Sequence, residues 1–231
     1  MTLFLSNFFQ KKVYKTKCLI WDIDGTLYRN TYGIFLEMCK ITAKYIKSNT
    51  DKKYQEIVPT IKKGLKENLT LGQIVEKDFH LSENKLAIQV EIELDRSKYI
   101  QRNSRLIYLL EHELAEFEHI ILTNSGEKNA IKVLKKIGLR KNIFNHIITL
   151  DTLKKDIKPS LNAFEEVYKK SRYKKNEYLM IGDSLYHDII PAKKFGFRTC
   201  WINDDTQNLK SKEADLVIPS VLLLKNRINN F

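Results

Sequence analysis

Two aspartates separated by a single residue, Asp22 and Asp24, are the side chains of this protein best placed to do chemistry. They follow the apolar run Cys18–Trp21, which is typical of a buried parallel strand. Two carboxylates at one strand end repel each other unless a cation or a proton intervenes. Gly25 and Thr26 can turn the chain so that both carboxylates reach one ligand. The pair therefore predicts a site that holds a cation or moves a proton.

Three later segments contain further side chains that could bind an anion or a cation. They are the polar run Thr123–Ser125, the dipeptide Lys158–Pro159, and Gly182–Asp188, which includes Asp183. Except for Lys158, which begins a helix, each lies at or just after the carboxyl end of a predicted strand. Because ligands of open α/β sheets bind at that edge, we expect the four segments to form one site.

The second half of the chain alternates strands with amphipathic helices. After Cys18–Trp21, the predicted strands are His119–Thr123, His146–Thr149, Tyr178–Ile181, Thr199–Ile202 and Asp215–Ile218. Helices are predicted at Glu127–Ile137, Ser160–Ser171 and Asp188–Lys194, with Ser160 capping the second, and Gly138 and Gly196 ending the other two. This repetition predicts an α/β fold, with a Rossmann-like parallel sheet covered by helices.

Residues 31–111 lack this alternation and separate Asp24 from Thr123. Their helix-like stretches are Ile34–Ser48, Gln55–Asn68, Leu71–Lys77, Glu83–Leu94 and Asn103–Leu110. We expect this α-helical insertion to fold over the site as a cap domain, with residues 1–30 and 112–231 forming the core domain.

The composition excludes several classes of protein. The chain has 231 residues and is 43% hydrophobic, which suffices for one domain and an insertion. The three cysteines have no short spacing, which argues against a disulfide framework or a zinc site. The net charge of +12 comes mainly from dispersed lysine pairs on polar helix faces, whereas nucleic-acid surfaces concentrate arginine and interleave aromatic residues.

No targeting or membrane signal is evident. The apolar segment Met1–Phe9 is too short for a signal peptide and has no basic region before it, and no run is long enough to span a membrane. We therefore expect a cytoplasmic protein without a nucleic-acid or membrane partner. Its oligomeric state does not follow from the sequence.

The four segments, in this order, resemble the motifs of the haloacid dehalogenase (HAD) superfamily of phosphohydrolases over the whole chain. Asp22-Ile-Asp-Gly-Thr-Leu27 has the Asp-x-Asp-Gly-Thr signature, and the helical insertion after it is similar to the C1-cap subgroup. Gly182–Asn203 looks most like nucleotidase and sugar-phosphatase members. The resemblance implies the HAD fold and a phosphatase that uses Mg²⁺, with the backbone carbonyl of Asp24 among the ligands of the metal.

Hydrolysis of a phosphate monoester has a very high uncatalysed barrier. An enzyme lowers it by dividing the reaction into two displacements through a covalent intermediate. We expect Asp22 to be the nucleophile and Asp24 the general acid and base. Asp183 would complete, with Asp22 and Asp24, the protein ligands of Mg²⁺, which favours oxygen ligands. Lys158 would offset the charge of Asp22 beside the phosphate.

The oxygens of the transferring phosphoryl group need fixed donors. Thr123 offers a hydroxyl, Lys158 an ammonium, and the backbone near Asp24 and Asn124 further amides. These residues are the predicted phosphate-binding group.

Two residues are expected to support the site without contacting the substrate. Asp188 would hold Lys158 or the waters of the metal, and could also cap the helix that follows it. Thr26 would brace the loop of Asp22 through a hydrogen bond.

Four neighbouring side chains retain two interpretations each. Ser125 fits either a phosphate donor or a turn. His187 fits either a base or an exposed loop residue, and the second is favoured because Asp24 already fills the acid–base role. Tyr28 and Arg29 lead into the insertion, where they either touch the leaving group or serve only as connection.

The second aspartate discriminates among the reactions of this superfamily. Haloalkanoate cleavage delivers no proton to an alkoxide, and phosphonate hydrolysis uses a cap lysine, so the related enzymes do not keep an aspartate at the position of Asp24. We therefore predict hydrolysis of a small phosphorylated metabolite, with nucleoside monophosphates ahead of sugar phosphates. A phosphomutase and a non-catalytic binding module on the same fold are the alternatives.

Overall fold

Six parallel strands form the central sheet, in the order β3-β2-β1-β4-β5-β6. The computed structural model describes residues 15–29, 32–67, 69–154, 156–205 and 211–228. Within these ranges the strands are β1 (Cys18–Trp21), β2 (Glu118–Leu122), β3 (His146–Ile148), β4 (Tyr178–Gly182), β5 (Arg198–Ile202) and β6 (Leu216–Ile218). Each predicted strand is confirmed, with ends that differ by at most one residue.

The register of the sheet brings three of the four motifs together. Trp21, the last residue of β1, pairs with Ile121 of β2 on one side and with Ile181 of β4 on the other. The chain order reverses at β1, because β2 and β4 flank it. Such a switch point opens a crevice beyond the carboxyl ends of the strands, where ligands of doubly wound sheets bind. Asp22 and Asp183 directly follow β1 and β4 at this crevice.

Helices cover both faces of the sheet, which explains why the strands read as continuous apolar runs. The helices that cover the sheet follow the four helices of the insertion, α1–α4 (residues 32–93), in the chain. They are α5 (Ser104–Tyr108), α6 (Glu127–Ile137), α7 (Leu150–Leu153), α8 (Leu161–Lys170), α9 (Ile190–Phe195) and α10 (Lys225–Ile228). Side chains of α5, α6 and α10 share one buried cluster with Leu19 and Trp21 of β1. Side chains of α7, α8 and α9 share another with Cys18 and Ile20. Alternate residues of β1 therefore serve opposite layers.

The predicted helices of the core are confirmed, with one correction. The bounds of α6 are as predicted, and Gly138 ends it with a φ of 97°. Ser160 caps α8 by accepting a hydrogen bond from the backbone of Asn162. The prediction that Asp188 opens a helix is wrong, because a π-helical turn, Leu185–Ile189, precedes α9 and is capped by Ser184.

The insertion forms four longer helices with a hydrophobic cluster of their own. They are α1 (Tyr32–Asn49), α2 (Tyr54–Lys66), α3 (Leu71–Phe79) and α4 (Glu83–Glu93). Buried residues from Ile34 to Leu94 make up this cluster, whereas Ile100 and Leu106 belong to the cluster of the sheet. The division of the chain into a cap at 31–111 and a core stays a prediction, and this packing favours a second boundary between Leu94 and Ile100. The first boundary, at residues 30 and 31, lies outside the described residues.

Two further findings concern the cysteines and the membrane. Cys18 and Cys200 are buried free thiols within two of the predicted strands, β1 and β5. None of the helices in the described ranges is long and apolar enough to cross a membrane. The segment Met1–Phe9, for which no signal function was expected, lies outside those ranges.

Candidate active site

A buried lysine between two aspartates forms the centre of the site. Lys158 Nζ lies 2.6 Å from Asp22 Oδ1 and 2.5 Å from Asp188 Oδ1, and the side chain of Lys158 is 2% exposed. Asp22 follows β1, Lys158 precedes α8, and Asp188 lies in the π-helical turn after β4. The ammonium therefore joins three of the predicted motifs, and the expected contact between Asp188 and Lys158 is present.

Charges in this group perturb one another because water is largely excluded. Burial raises the pKa of Asp22 well above its ordinary value, which Lys158 opposes and the charge of Asp188 reinforces. Burial by itself would lower the pKa of Lys158, but Asp188 and Asp22 together raise it, so the ammonium is charged. Burial and the nearby Asp188 raise the pKa of Asp183 to about 6. The raised pKa values of Asp22 and Asp183 mean that a proton or a cation bound among these carboxyl groups is favoured.

Three carboxylates form a group that could hold a metal ion. Oxygens of Asp22, Asp183 and Asp188 lie within 4.8 Å of one another. The carboxylate of Asp24 is not part of this group among the described residues. The set contains oxygen donors alone, which suits a hard divalent cation.

Two glycines allow these carboxylates to approach the backbone. Gly25 has a φ of +83°, and a Cβ there would lie 2.0 Å from an oxygen of Asp183. At Gly182 a Cβ would lie 2.4 Å from the carboxyl carbon of Asp188. The indole nitrogen of Trp201 donates to the backbone carbonyl of Asp183 at 2.8 Å and fixes that loop from β5. Any larger residue at Gly25 would displace the loop of Asp22 from Asp183.

Asp24 faces a different set of partners. Its Oδ2 accepts a hydrogen bond from Ser125 Oγ at 2.8 Å. Its Oδ1 accepts from the hydroxyl of Tyr28 and lies 3.2 Å from Nε of Arg96. The sequence left the roles of Ser125 and Tyr28 open. In the structure both side chains donate hydrogen bonds to Asp24, the acid–base candidate.

Arg96 itself is anchored on the core. Its Nη1 lies 3.0 Å from Glu91 Oε2, at the end of α4. Glu91 Oε1 accepts from the backbone N–H of Gly126 at 2.7 Å and from Asn129 Nδ2 at 2.9 Å. Gly126 is the N-cap of α6, where unpaired N–H groups and the helix dipole favour a carboxylate.

The second motif supports the site mainly through hydrogen bonds to other backbone segments. Asn124 Nδ2 donates to the carbonyl of Lys158 at 2.8 Å, and Asn124 Oδ1 accepts from the N–H of Lys158 at 3.0 Å. Thr123 Oγ1 accepts from the N–H of Ser125 at 3.1 Å, which leaves its proton for another acceptor. The side chain of Asn124 is thus committed to Lys158, and the phosphate contacts of Thr123 and Asn124 stay predictions.

One expected contact of the motifs is not formed. The buried hydroxyl of Thr26 has no hydrogen-bond partner among the described residues, so the predicted brace through this side chain is wrong. The loop is held instead by backbone bonds, such as Leu27 N–H to the carbonyl of Ile23 at 3.0 Å. His187 is exposed, as expected, but it lies in the π-helical turn and not in a loop, and its ring contacts Ser184. Arg29 pairs with Asp204 at the surface.

A sequence profile of the haloacid dehalogenase-like hydrolases matches residues 19–202, which include all four motifs. The chain belongs to this family. By sequence, (S)-2-haloacid dehalogenase 2 of Pseudomonas sp. (strain CBS-3) is 27% identical over 111 residues, or 47% of this chain and 47% of the dehalogenase. The chain thus matches about half the length of that relative.

Solved structures of other haloacid dehalogenase-like proteins share the fold. A HAD phosphatase from Thermococcus onnurineus has a TM-score of 0.61 at 23% identity, over 91% of this chain and 96% of that one. The YfnB protein of Bacillus subtilis, described as a HAD-hydrolase bound to magnesium, has a TM-score of 0.56 at 21% identity, over 94% and 100%. L-2-haloacid dehalogenase from Xanthobacter autotrophicus has a TM-score of 0.57 at 15% identity, over 94% and 99%. At these identities the likeness concerns the fold alone.

Two site residues of this haloacid dehalogenase-like hydrolase were not predicted from the sequence. Both lie outside the four motifs, Glu91 near the end of α4 and Arg96 in the connection from α4 back to the sheet. A glutamate and an arginine five positions apart in a lysine-rich and glutamate-rich chain carry no distinctive signal. Their position just before the chain returns to the core is the one feature that pointed to the crevice.

Proposed function

We propose that this chain is a Mg²⁺-dependent phosphatase that hydrolyses a small phosphate monoester through an aspartyl-phosphate on Asp22. The observation that carries the proposal is the pair of differently held aspartates. Asp22 lies against Lys158 in the buried group, whereas Asp24 is oriented by Ser125, Tyr28 and Arg96. Two carboxylates in different surroundings suit two different tasks.

In the first displacement, a carboxylate oxygen of Asp22 forms a bond to phosphorus and the bond from phosphorus to the leaving oxygen breaks. Asp24 gives its proton to that oxygen, so that an alcohol departs instead of an alkoxide. The ammonium of Lys158, 2.6 Å from Asp22, counters the negative charge that the nucleophile and the phosphate bring together.

In the second displacement, water attacks the phosphorus of the aspartyl-phosphate and transfers a proton to Asp24. The bond from phosphorus to Asp22 breaks, which releases inorganic phosphate and restores the free carboxylate. Mg²⁺ held by Asp22 and Asp183, with the backbone carbonyl of Asp24 as the family resemblance implies, would offset charge on the phosphoryl oxygens. Asp188 supports this group through Lys158.

Two other reactions remain as alternatives. A haloacid dehalogenase is named among the relatives, but the placement of Asp24 favours a reaction that delivers a proton to a leaving oxygen. A phosphomutase would use the same two aspartates and return the phosphoryl group to the substrate. The leaving group, predicted from the sequence to be a nucleoside or a sugar, is not identified by these contacts.

The proposal is tested by incubating the purified chain with Mg²⁺ and p-nitrophenyl phosphate. We expect turnover that EDTA abolishes and that Asp22→Asn lowers by at least about 10⁴-fold, as removal of a nucleophile does. Turnover no higher than that of Asp22→Asn would refute the phosphatase. Release of chloride from 2-chloropropionate would support a dehalogenase instead, and interconversion of sugar phosphates without release of phosphate would support a mutase.

A further inference from the structure

Arg96 introduces a cation beside the acid–base residue, and neither displacement gives it a contact with the substrate. Its Nε lies 3.2 Å from Asp24 Oδ1 and its Nη1 lies 3.0 Å from Glu91 Oε2. Among the residues that the structure describes, its Nη2 makes no hydrogen bond. A guanidinium with an unpaired end next to the proton donor has donors to offer to the substrate.

The leaving group must come close to this guanidinium. Asp24 has to lie within about 2.6–3.2 Å of the leaving oxygen to protonate it. Tyr28 and Arg96 occupy Oδ1 of Asp24. Ser125 contacts Oδ2, and one position on that oxygen is left for the leaving oxygen. An oxygen bound there brings substituents two or three bonds away within reach of Arg96.

The position of Arg96 is fixed in advance of binding. Glu91 holds the guanidinium and is itself held by Gly126 N–H at 2.7 Å and by Asn129 at 2.9 Å. Asp95, the residue before Arg96, pairs with Lys132 of α6 at 2.7 Å. A side chain held in this way loses little conformational entropy when a ligand binds, which raises affinity.

The chemistry of the ligand follows from the guanidinium. Arginine is charged throughout the physiological pH range, and its planar fork matches carboxylate and phosphate groups. The side chain of Arg96 is 13% exposed, so solvent screens its charge weakly. A neutral leaving group, such as the nucleoside of a monophosphate, would form no ion pair with it.

We propose that Arg96 binds a second anionic group, a carboxylate or a phosphate, on the leaving group of the substrate. This inference rests on the proposed phosphatase function and narrows its substrate class. It places phosphorylated acids and bisphosphates ahead of the nucleoside monophosphates that the sequence favoured.

Two matched pairs of substrates test the inference in the full-length protein with Mg²⁺. In the carboxylate pair, 2-phosphoglycolate is compared with 2-hydroxyethyl phosphate. In the phosphate pair, propane-1,3-diol bisphosphate is compared with 3-hydroxypropyl phosphate. We expect kcat/KM to be higher for the member with the second anionic group in at least one pair. The pair with the larger ratio of kcat/KM identifies the group that Arg96 binds.

Variants assign that preference to Arg96. In Arg96→Gln the ratio of kcat/KM within the preferred pair should fall about 10- to 100-fold, the usual value of a hydrogen bond to a charged group. Arg96→Lys, which keeps the charge without the fork, should retain part of the ratio. Arg105→Gln removes an exposed arginine that pairs with Glu113, and the ratio should not change. A general loss of activity through Asp24 lowers kcat/KM for both members of a pair and cancels in the ratio. The ratio therefore reports recognition of the leaving group alone.

Two results would overturn the inference while the phosphatase stands. One is a ratio near one in both pairs for the wild type. The other is an equal loss on both members of the preferred pair in Arg96→Gln, which would make Arg96 a positioning residue for Asp24. Failure of the wild type to hydrolyse p-nitrophenyl phosphate and all four esters would instead refute the phosphatase and the inference together.

Discussion

Asn124 holds the backbone of Lys158 with both ends of its side-chain amide. Nδ2 donates to the carbonyl of Lys158 at 2.8 Å, and Oδ1 accepts from its N–H at 3.0 Å. Asn124 follows β2, whereas Lys158 lies between α7 and α8, so the pair joins two loops at the same edge of the sheet. The residue therefore acts on the site by fixing the segment from which Lys158 reaches Asp22 and Asp188.

Replacing Asn124 with alanine removes both hydrogen bonds and leaves the backbone groups of Lys158 unpaired. We expect the free energy of unfolding to fall by about 1–3 kcal/mol. Because Lys158 would be misplaced, kcat on p-nitrophenyl phosphate should fall by up to about 100-fold. Urea denaturation and steady-state kinetics measure the two effects. Asn142→Ala, at an exposed asparagine, is the matched control and should change stability by no more than about 0.5 kcal/mol.

Lys158→Met would leave Asp22 and Asp188 as buried carboxylates without their cation. Breaking a buried ion pair in this way costs about 3–5 kcal/mol, and we expect a loss of that size in urea denaturation without Mg²⁺. Adding Asp188→Asn to the variant removes one of the unpaired charges and should restore part of the stability. An unchanged free energy of unfolding in Lys158→Met would contradict the importance of this ion pair.

Mg²⁺ should stabilise the folded chain, because the group of three carboxylates exists only after folding. At a concentration of 100 times its Kd, the ion should raise the free energy of unfolding by about 2.7 kcal/mol. Asp183→Asn should reduce this increase, and thermal denaturation with and without Mg²⁺ measures it independently of any substrate. Equal stabilisation of the wild type and Asp183→Asn would place the ion elsewhere.

Ser125→Ala tests the orientation of Asp24. The variant removes the hydrogen bond from Ser125 Oγ to Asp24 Oδ2, which measures 2.8 Å. We expect kcat on p-nitrophenyl phosphate to fall about 10- to 100-fold, since a hydrogen bond to a charged group contributes about 1.5–3 kcal/mol. The stabilisation by Mg²⁺ should persist, because Ser125 does not contact the group of Asp22, Asp183 and Asp188. A loss of both would indicate a general distortion of the site.

His119 should make the stability of the fold depend on pH. Its Nδ1 accepts from the indole of Trp21 at 3.0 Å and its Nε2 lies 3.0 Å from the carbonyl of Leu114, which suits a neutral ring protonated at Nε2. Burial lowers the pKa of His119 from 6.5. The unfolded chain therefore binds the proton more readily, so this contribution is present above about pH 6.5 and is lost as the pH falls through the folded pKa.

The slope of this loss has an upper limit of about 1.4 kcal/mol per pH unit for one proton. We expect urea denaturation between pH 8 and pH 5 to give a smaller loss of stability in His119→Gln than in the wild type. Identical slopes in the two proteins would assign the pH dependence to other groups.

Several features of the fold followed from local sequence. Apolar runs bounded by polar turns located each strand of the described residues within one residue, because a strand covered on both faces must be apolar throughout. The bounds of α6 followed from its helical periodicity and from Gly138, which adopts the left-handed conformation that ends the helix. Because parallel strands end at one edge, the convergence of Asp22, Lys158, Asp183 and Asp188 could also be predicted.

The start of the helix before α9 shows where local patterns failed. Asp188 resembles an N-cap followed by Pro191, but Ser184 caps the helix and the π-helical turn continues into α9. The carboxylate of Asp188 is thereby free to reach Lys158 at 2.5 Å. A buried charge pair between distant segments outweighed the intrinsic preference of aspartate for a helix start.

The sequence by itself determined the parallel sheet, the edge at which its motifs meet and the family of the chain, because these depend on short apolar patterns and on residues adjacent in the chain. Tertiary structure alone decided which side chains hold Asp24 and which side chain holds the backbone of Lys158. Arg96 reaches Asp24 only because Glu91 and Asp95 pin its segment to α6, and Asn124 reaches Lys158 only because neighbouring strands bring their loops together. Hydrogen bonds between distant residues depend on the packing of whole elements, and no local pattern encodes that packing.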